Sequence, residues 1–215
     1  MADSFTDASR LPFVIGHDYS GVVSAVEENV KTFVVGDAIY GLTLCGQAAA
    51  DYALITLNSI HSIAHKPVSM SFVDAACFTT AAHTIVQTLL RADSEIEGGL
   101  GGKMVLVPAG LSGTGPLVLQ LLKSVFAVGK LITTVSTAKV NLVPEFLGQG
   151  VVDQIIDYKR MNGITEIGRE SVDFLLDTTF TSMSLLPVVK PKTGLILTIT
   201  GKSRDRHAQD WPEVS

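Results

Sequence analysis

Two cysteines, Cys45 and Cys77, are all that the 215 residues contain. That is too few for a disulfide framework and fits a reducing compartment. Charge is also scarce, at 17% of residues with a net charge of −5. No run of lysine or arginine exists to grip a phosphate backbone, so nucleic acid is not an expected partner. No apolar stretch reaches the length of a membrane span, and the opening MADSFTDASR has no apolar signal core. The closing WPEVS is no retention or peroxisomal signal. A cytoplasmic protein with no membrane partner is the expectation. Low-complexity tracts and internal repeats are absent too.

What is present is apolar. Hydrophobic residues make up 47% of the chain and glycine occurs 19 times, which suits buried strands joined by tight turns and excludes a disordered chain. The length allows one large or two small domains.

The stretch 104–125, MVLVPAGLSGTGPLVLQLLKSV, organises the rest. Residues 104–107 form a short apolar run of the kind a strand buried on both faces requires. A turn of small residues follows, and then Pro116, a residue suited to the first helical position. A mostly apolar helix runs on to about Lys123. In a strand, glycine-rich turn and helix, free backbone N–H groups and the helix dipole converge on a phosphate. Against the spacing G-x-G-x-x-G the positions read Gly110, Ser112 and Gly115, with Gly113 and Thr114 between them. These five residues are candidate cofactor contacts. An ordinary glycine-rich turn is the plain alternative.

Ahead of this stretch, short strands are expected at 13–15, 22–26, 38–40 and 48–55, with turns at 16–21, 27–29 and 36–37. Residues 1–12 read as a loose arm. Such spacing suggests a small barrel or sandwich. From Ser71 helices are expected at 72–76, capped by Ser71, and at 82–91. The run 95–102, ending in GGLGG, reads as a linker. Behind the central stretch strands are expected at 130–135, 151–156, 172–176 and 194–200. Helices at 138–147, 164–169 and 183–189 alternate with them. Apolar strands alternating with helices predict a parallel sheet covered on both faces.

The segment GHDYSGVVSAVEENVKTFVVGDAIYG resembles the signature of the medium-chain dehydrogenase/reductase superfamily. ADYALI, PVSMSFVDAA and Thr84 fit the same pattern, and VPAGLSGTG, VVDQIIDY and VDFLLDTT are most similar to zinc-independent quinone oxidoreductases and fungal enoyl reductases. The resemblance implies a partial GroES-like catalytic domain over residues 1–100 and a truncated Rossmann dinucleotide-binding domain over 101–215. That family carries more chain before Gly16 and beyond Gly201, so a natural short form or a fragment is expected. Glu27 stands where the family usually has glycine. The absent sixth strand predicts an exposed sheet edge that a second copy could cover, giving a homodimer.

His17 falls where zinc-dependent relatives place a ligand. Zinc takes three or four N, S or O ligands, no cysteine precedes His17, and the histidines do not cluster. No metal is expected, with His17 a hydrogen-bonded structural residue and Asp18 a carboxylate satisfying turn N–H groups. For the cofactor, the end of the second parallel strand reads TVSTAK, without an acid. A carboxylate there accepts the ribose hydroxyls of NAD and repels a 2′-phosphate, whereas Ser136 and Lys139 would hold one. The resemblance adds Tyr158 near that phosphate. Together they point to NADPH, although singly Lys139 reads equally as a solvated lysine and Tyr158 as a strand-end residue. Thr178 and Thr200 end later strands, at the edge where ligands of open sheets bind.

No catalytic acid or base stands out. Tyr19, His83 and Thr84 are candidates to lie near a small-molecule substrate, with His83 also readable as a buried structural histidine. The expected function is an NADPH-dependent oxidoreductase reducing a conjugated alkene or quinone-type substrate, as in secondary metabolism. The alternative is a derivative that has lost hydride transfer, whether an isomerase, a cyclase or a ligand-binding protein.

Overall fold

The computed structural model describes residues 14–43, 47–57, 61–179, 182–199 and 206–207. They pack as two compact units divided between Ala81 and Ala82, ahead of the GGLGG linker.

In the first unit, strands β1 (Asp18–Val22), β2 (Ala38–Thr43) and β3 (His61–His65) form an antiparallel sheet in that order. Residues 18–21, expected as part of a turn, are strand, and 23–26 are not. Pairing decides this, because β2 lies opposite β1 from Asp18↔Leu42 to Val22↔Ala38. Tyr19 faces Gly41, where any Cβ would collide with the Tyr19 ring and the Ser62 carbonyl. The strand expected at 48–55 does not form. Gln47, Ala48 and Ala49 donate N–H groups to residues 14–16, but positive φ at Gly16 (98°) and Gln47 (75°) stops the contact becoming a regular ladder. Val14 and Ile15 are likewise irregular, and Phe13 lies outside the described residues. Helix α1 (Phe72–Ala76) starts as expected, with the Asp74 N–H donating to Ser71 Oγ at 3.1 Å.

The second unit contains most of helix α2 (Thr79–Glu95), then β4 (Met104–Pro108), α3 (Gly115–Ser124), β5 (Lys130–Val135), α4 (Leu142–Leu147), β6 (Gln154–Asp157), α5 (Gly163–Ile167), β7 (Phe174–Asp177), α6 (Ser182–Leu185), β8 (Leu195–Thr198) and β9 (Arg206–His207). The sheet order is β6-β5-β4-β7-β8-β9, parallel through the first five strands. Val105, Ile132 and Ile155 lie in this one sheet, as the alternating pattern requires. The edge beyond β8 is not bare, as β9 pairs antiparallel with Leu195 and Ile196.

Strand alternation separates the core into two layers. Val105, Val107, Leu131, Phe174 and Leu176 pack with Ile85 and Leu89 of α2 and Val118, Leu119 and Leu122 of α3. Leu106, Ile132, Ile156, Leu175 and Ile196 pack with Ile167, Val172, Val188 and Val189 on the other face. The central strands β4 and β7 present apolar residues to both sides because both sides are covered. Each fully buried leucine or isoleucine contributes about 1.5–3 kcal/mol.

At the amino edge two aspartates tie neighbouring strands together. Asp173 accepts the Met104 N–H at 2.9 Å and binds Lys190 Nζ at 2.7 Å. Asp153 accepts the Leu131 N–H at 2.7 Å and both its oxygens lie 2.9 Å from Lys123 Nζ. Partial burial raises the Asp153 pKa, but the Leu131 N–H and the Lys123 charge outweigh it and hold the carboxyl below its ordinary 3.8. A folded-state pKa below the unfolded one means that the contribution is complete above the ordinary value and is lost as pH falls through the lower folded value. Asp153→Ala is expected to cost about 1 kcal/mol at neutral pH in urea unfolding, at the low end because the group is exposed. The difference from wild type should shrink toward zero in acid below the ordinary carboxylate range.

Candidate functional site

Chain order runs outward from β4 through β5 to β6, then returns to the other side of β4 for β7 and β8. The order therefore reverses at β4, and the crevice at its carboxyl end is where open sheets of this kind take ligands. The glycine-rich turn is the first thing to leave that end.

The turn can be accounted for N–H by N–H. Pro108 has no N–H. The Ala109 N–H donates to Thr134 Oγ1 at 3.3 Å and the Gly110 N–H to the Thr134 carbonyl at 3.2 Å. The Ser112 N–H donates to the Ala109 carbonyl at 2.8 Å, and the Gly115 N–H to Ser112 Oγ at 3.2 Å. The N–H groups of Leu111, Gly113 and Thr114 have no hydrogen-bond partner among the described residues. They sit at the amino end of α3, where the helix dipole adds positive potential. Three free donors beside a helix start are what an anionic oxygen group requires.

The glycines divide the work. A Cβ at Gly110 would strike the Thr133 hydroxyl and Leu119, and one at Gly115 would strike the Gly110 carbonyl. Both are needed for close packing of turn, helix and sheet. A Cβ at Gly113 would meet nothing within 4 Å, so that position opens onto free space. Ala109 takes φ of 54°, a left-handed conformation that an alanine adopts only under constraint.

The other expected cofactor contacts gather at neighbouring strand ends. Ser136 follows β5 and precedes a 3-10 turn over Thr137–Lys139, and Lys139 Nζ reaches the Leu111 carbonyl at 3.4 Å, which brings the lysine to the turn. Tyr158 follows β6, its N–H bound to the Val135 carbonyl at 3.2 Å and its ring 56% exposed. The Thr178 hydroxyl donates to the Pro108 carbonyl at 2.8 Å, so it braces the end of β4. Thr200 lies outside the described residues.

Sequence reasoning passed over Thr133, Thr134 and Asp177. The Thr133 hydroxyl donates to the Val107 carbonyl at 2.6 Å, and Asp177, 1% exposed, accepts the Thr179 N–H at 2.9 Å. Two adjacent threonines in an otherwise apolar buried strand were the available signal, since a buried hydroxyl needs a partner.

In the first unit the polar candidates are engaged in structure. The Tyr19 hydroxyl donates to the Ser62 carbonyl at 3.1 Å, and burial pushes its pKa up to about 12. It adjoins a cleft of about 400 Å³ lined by Val23, Val26, Phe33, Tyr52 and Ile63. Asp18 accepts the Thr80 N–H (2.7 Å) and hydroxyl (2.8 Å), capping the first turn of α2. His17 Nδ1 lies 2.8 Å from the Thr43 carbonyl. In the second unit His83 is exposed, not buried, with Nε2 2.7 Å from Gln87 Nε2, because the buried stripe of α2 runs through Ile85, Leu89 and Ala92. Thr84 is half-buried and its carbonyl accepts the Thr88 hydroxyl at 2.7 Å. Among the described residues no three His, Cys, Asp or Glu side chains converge as a metal set. No helix there is long and apolar enough to cross a membrane.

Known proteins share this arrangement. The alcohol dehydrogenase GroES-like domain matches residues 2–60. A 2-methylene-furan-3-one reductase of Solanum lycopersicum is 34% identical, over 90% of this chain and 48% of its own length. An NADPH-dependent alkenal/one oxidoreductase, chloroplastic, of Arabidopsis thaliana is 32% identical over the same shares. The quinone oxidoreductase of Coxiella burnetii superposes with a TM-score of 0.71 at 26% identity, covering 88% of this chain and 56% of that one. The chain is similar to these quinone and alkenal/one oxidoreductases. It spans about half the length of the curated relatives it matches.

The two kinds of turn glycine should separate experimentally. Gly115→Ala is expected to destabilise the fold by about 1–3 kcal/mol through overpacking against the Gly110 carbonyl. Gly113→Val should fold with a wild-type melting temperature, since its side chain enters open space. Thermal unfolding of the two variants side by side checks both; equal losses would contradict this division.

Proposed function

We propose that the protein is an NADPH-dependent oxidoreductase that reduces a conjugated alkene or a quinone-type substrate without zinc. The observation that carries the proposal is the set of free N–H groups of Leu111, Gly113 and Thr114 at the switch point, with Gly113 leaving the approach open. A pyrophosphate fits those donors. Lys139, reaching the same turn, and Ser136 supply cation and hydroxyl for a 2′-phosphate, with Tyr158 exposed on the neighbouring strand end. The names of the tomato and Arabidopsis relatives, a reductase of a methylene-furanone and an NADPH-dependent alkenal/one oxidoreductase, support the substrate class.

Bound NADPH would supply a hydride. The chain's task is then to hold and orient the nucleotide, which by itself can account for a large part of the rate of such a transfer. Tyr19 keeps its proton at neutral pH, being held by Ser62 and raised to about 12, so the proton that completes the reduction is assigned to water. The cleft beside Tyr19, lined by apolar residues together with Ser24, Glu27 and Asp51, suits a small substrate. A cytoplasmic location and a homodimer belong to the same proposal, although the sheet edge first expected to hold the second copy carries β9.

Titration with NADPH and NADH, followed by reduced-nicotinamide fluorescence, tests the proposal. Wild type should bind NADPH more tightly, and Gly113→Val should bind neither nucleotide while remaining folded. Lys139→Ala should weaken NADPH by about 1.5–3 kcal/mol and leave NADH nearly unchanged, because only the former carries the extra phosphate. An equal loss for both would end the assignment of Lys139. Absence of any nucleotide binding by wild type would favour the non-redox derivative. Elemental analysis should find no stoichiometric zinc.

A further inference from the structure

We infer that Thr134 is a positioning residue for nucleotide binding, the group that sets the glycine-rich turn in its anion-receiving shape. The inference rests on the dinucleotide proposal above. Thr134 is 8% exposed and lies opposite Pro108, the last residue of β4, in the β4–β5 ladder. Beyond Pro108 the ladder would ordinarily stop. Instead Thr134 takes two successive turn N–H groups, that of Ala109 on its side-chain oxygen and that of Gly110 on its carbonyl.

Two consequences follow from that double hold. The first is conformational. Ala109 sits at φ of 54°, which costs an alanine about 1 kcal/mol or more and persists only where neighbours over-determine it. The Thr134 hydroxyl is the side-chain group that bonds the N–H of this strained residue. The second is directional. With the N–H groups of Ala109 and Gly110 turned into the sheet, the free ones are those of Leu111, Gly113 and Thr114. Release of Ala109 would let the turn relax and scatter the donors that a pyrophosphate needs in one orientation. Thr133 and Thr178 fix the Val107 and Pro108 carbonyls just before the turn, so Thr134 is the link between a held strand end and the cradle.

Thr134→Val keeps the shape of the side chain and the backbone carbonyl but removes the acceptor for Ala109. We expect the Kd for NADPH to rise about three- to tenfold, the size of one neutral hydrogen bond, and the Kd for NADH to rise by the same factor because both share the pyrophosphate. Thr134→Ser, which restores the oxygen, should bind within about twofold of wild type. Fluorescence titration at a temperature well below unfolding gives the Kd values, and thermal melts are run on each variant. A lowered melting temperature with unchanged Kd values would make Thr134 merely structural and overturn the inference. So would a loss confined to NADPH, or a serine variant as weak as the valine. Should Thr134→Val not fold, Thr134→Ala takes its place with the same expected loss, and if neither folds Thr134 is a folding residue and the inference fails. Wild type binding no nucleotide would instead remove the dinucleotide proposal itself, an outcome distinct from wild type binding normally while the variants do too.

Discussion

Everything at the carboxyl end of the parallel sheet depends on how β4 leaves it. A central strand is hydrogen-bonded on both sides, and a chain that turns away from two neighbours strands its polar backbone groups in a dry interior. Here the exit is managed by side chains. Thr133, Thr134 and Thr178 bond the backbone of Val107, Ala109 and Pro108 from both flanking strands, and proline removes one donor from the problem altogether. Because the exit is fully satisfied on the sheet side, the donors left over all belong to the turn and to the start of α3. The arrangement that satisfies the fold is thus the one that leaves donors for the anion site proposed here.

Much of this was legible in the sequence. Strands buried on both faces are mostly apolar, so runs such as 104–107 and Lys130–Val135 declared a parallel sheet, and the Pro116 start of α3 and the Ser71 cap of α1 were readable from local chemistry. The alternation gave strand order little direct support, but short connections through helices admit few topologies. Lys139 was nominated from a missing acid and does reach the turn.

Where local pattern misled, non-local pairing had overruled it. Residues 18–21 look like a turn because glycine, aspartate and serine crowd together, yet five register pairs with β2 make Asp18–Val22 a strand. Residues 48–55 look like a strand but form no regular ladder among the described residues, and Tyr52 and Leu54 are left more than 80% exposed. His83 was judged by its alanine neighbours, whereas burial on a helix follows the period of 3.6, which selects Ile85 and Leu89 instead. Thr133 and Thr134 were missed for a related reason. A hydroxyl in a buried strand announces that a partner exists without saying which backbone group it is, and the partner lies 25 or 26 residues away.

The first unit shows the same economy of polar groups. His17, Asp18 and Tyr19 follow one another in a segment that invites a catalytic reading, and each is bonded elsewhere, to Thr43, Thr80 and Ser62 respectively. A phenol whose proton is given to a backbone carbonyl, and whose pKa burial has raised to about 12, is a poor acid at neutral pH. His17, Asp18 and Tyr19 are thus committed to holding their own unit together, which agrees with the proposal that a bound nucleotide would carry the transferred group. On that proposal the burden of function falls on the turn after β4, where the N–H groups of Leu111, Gly113 and Thr114 have no partner among the described residues.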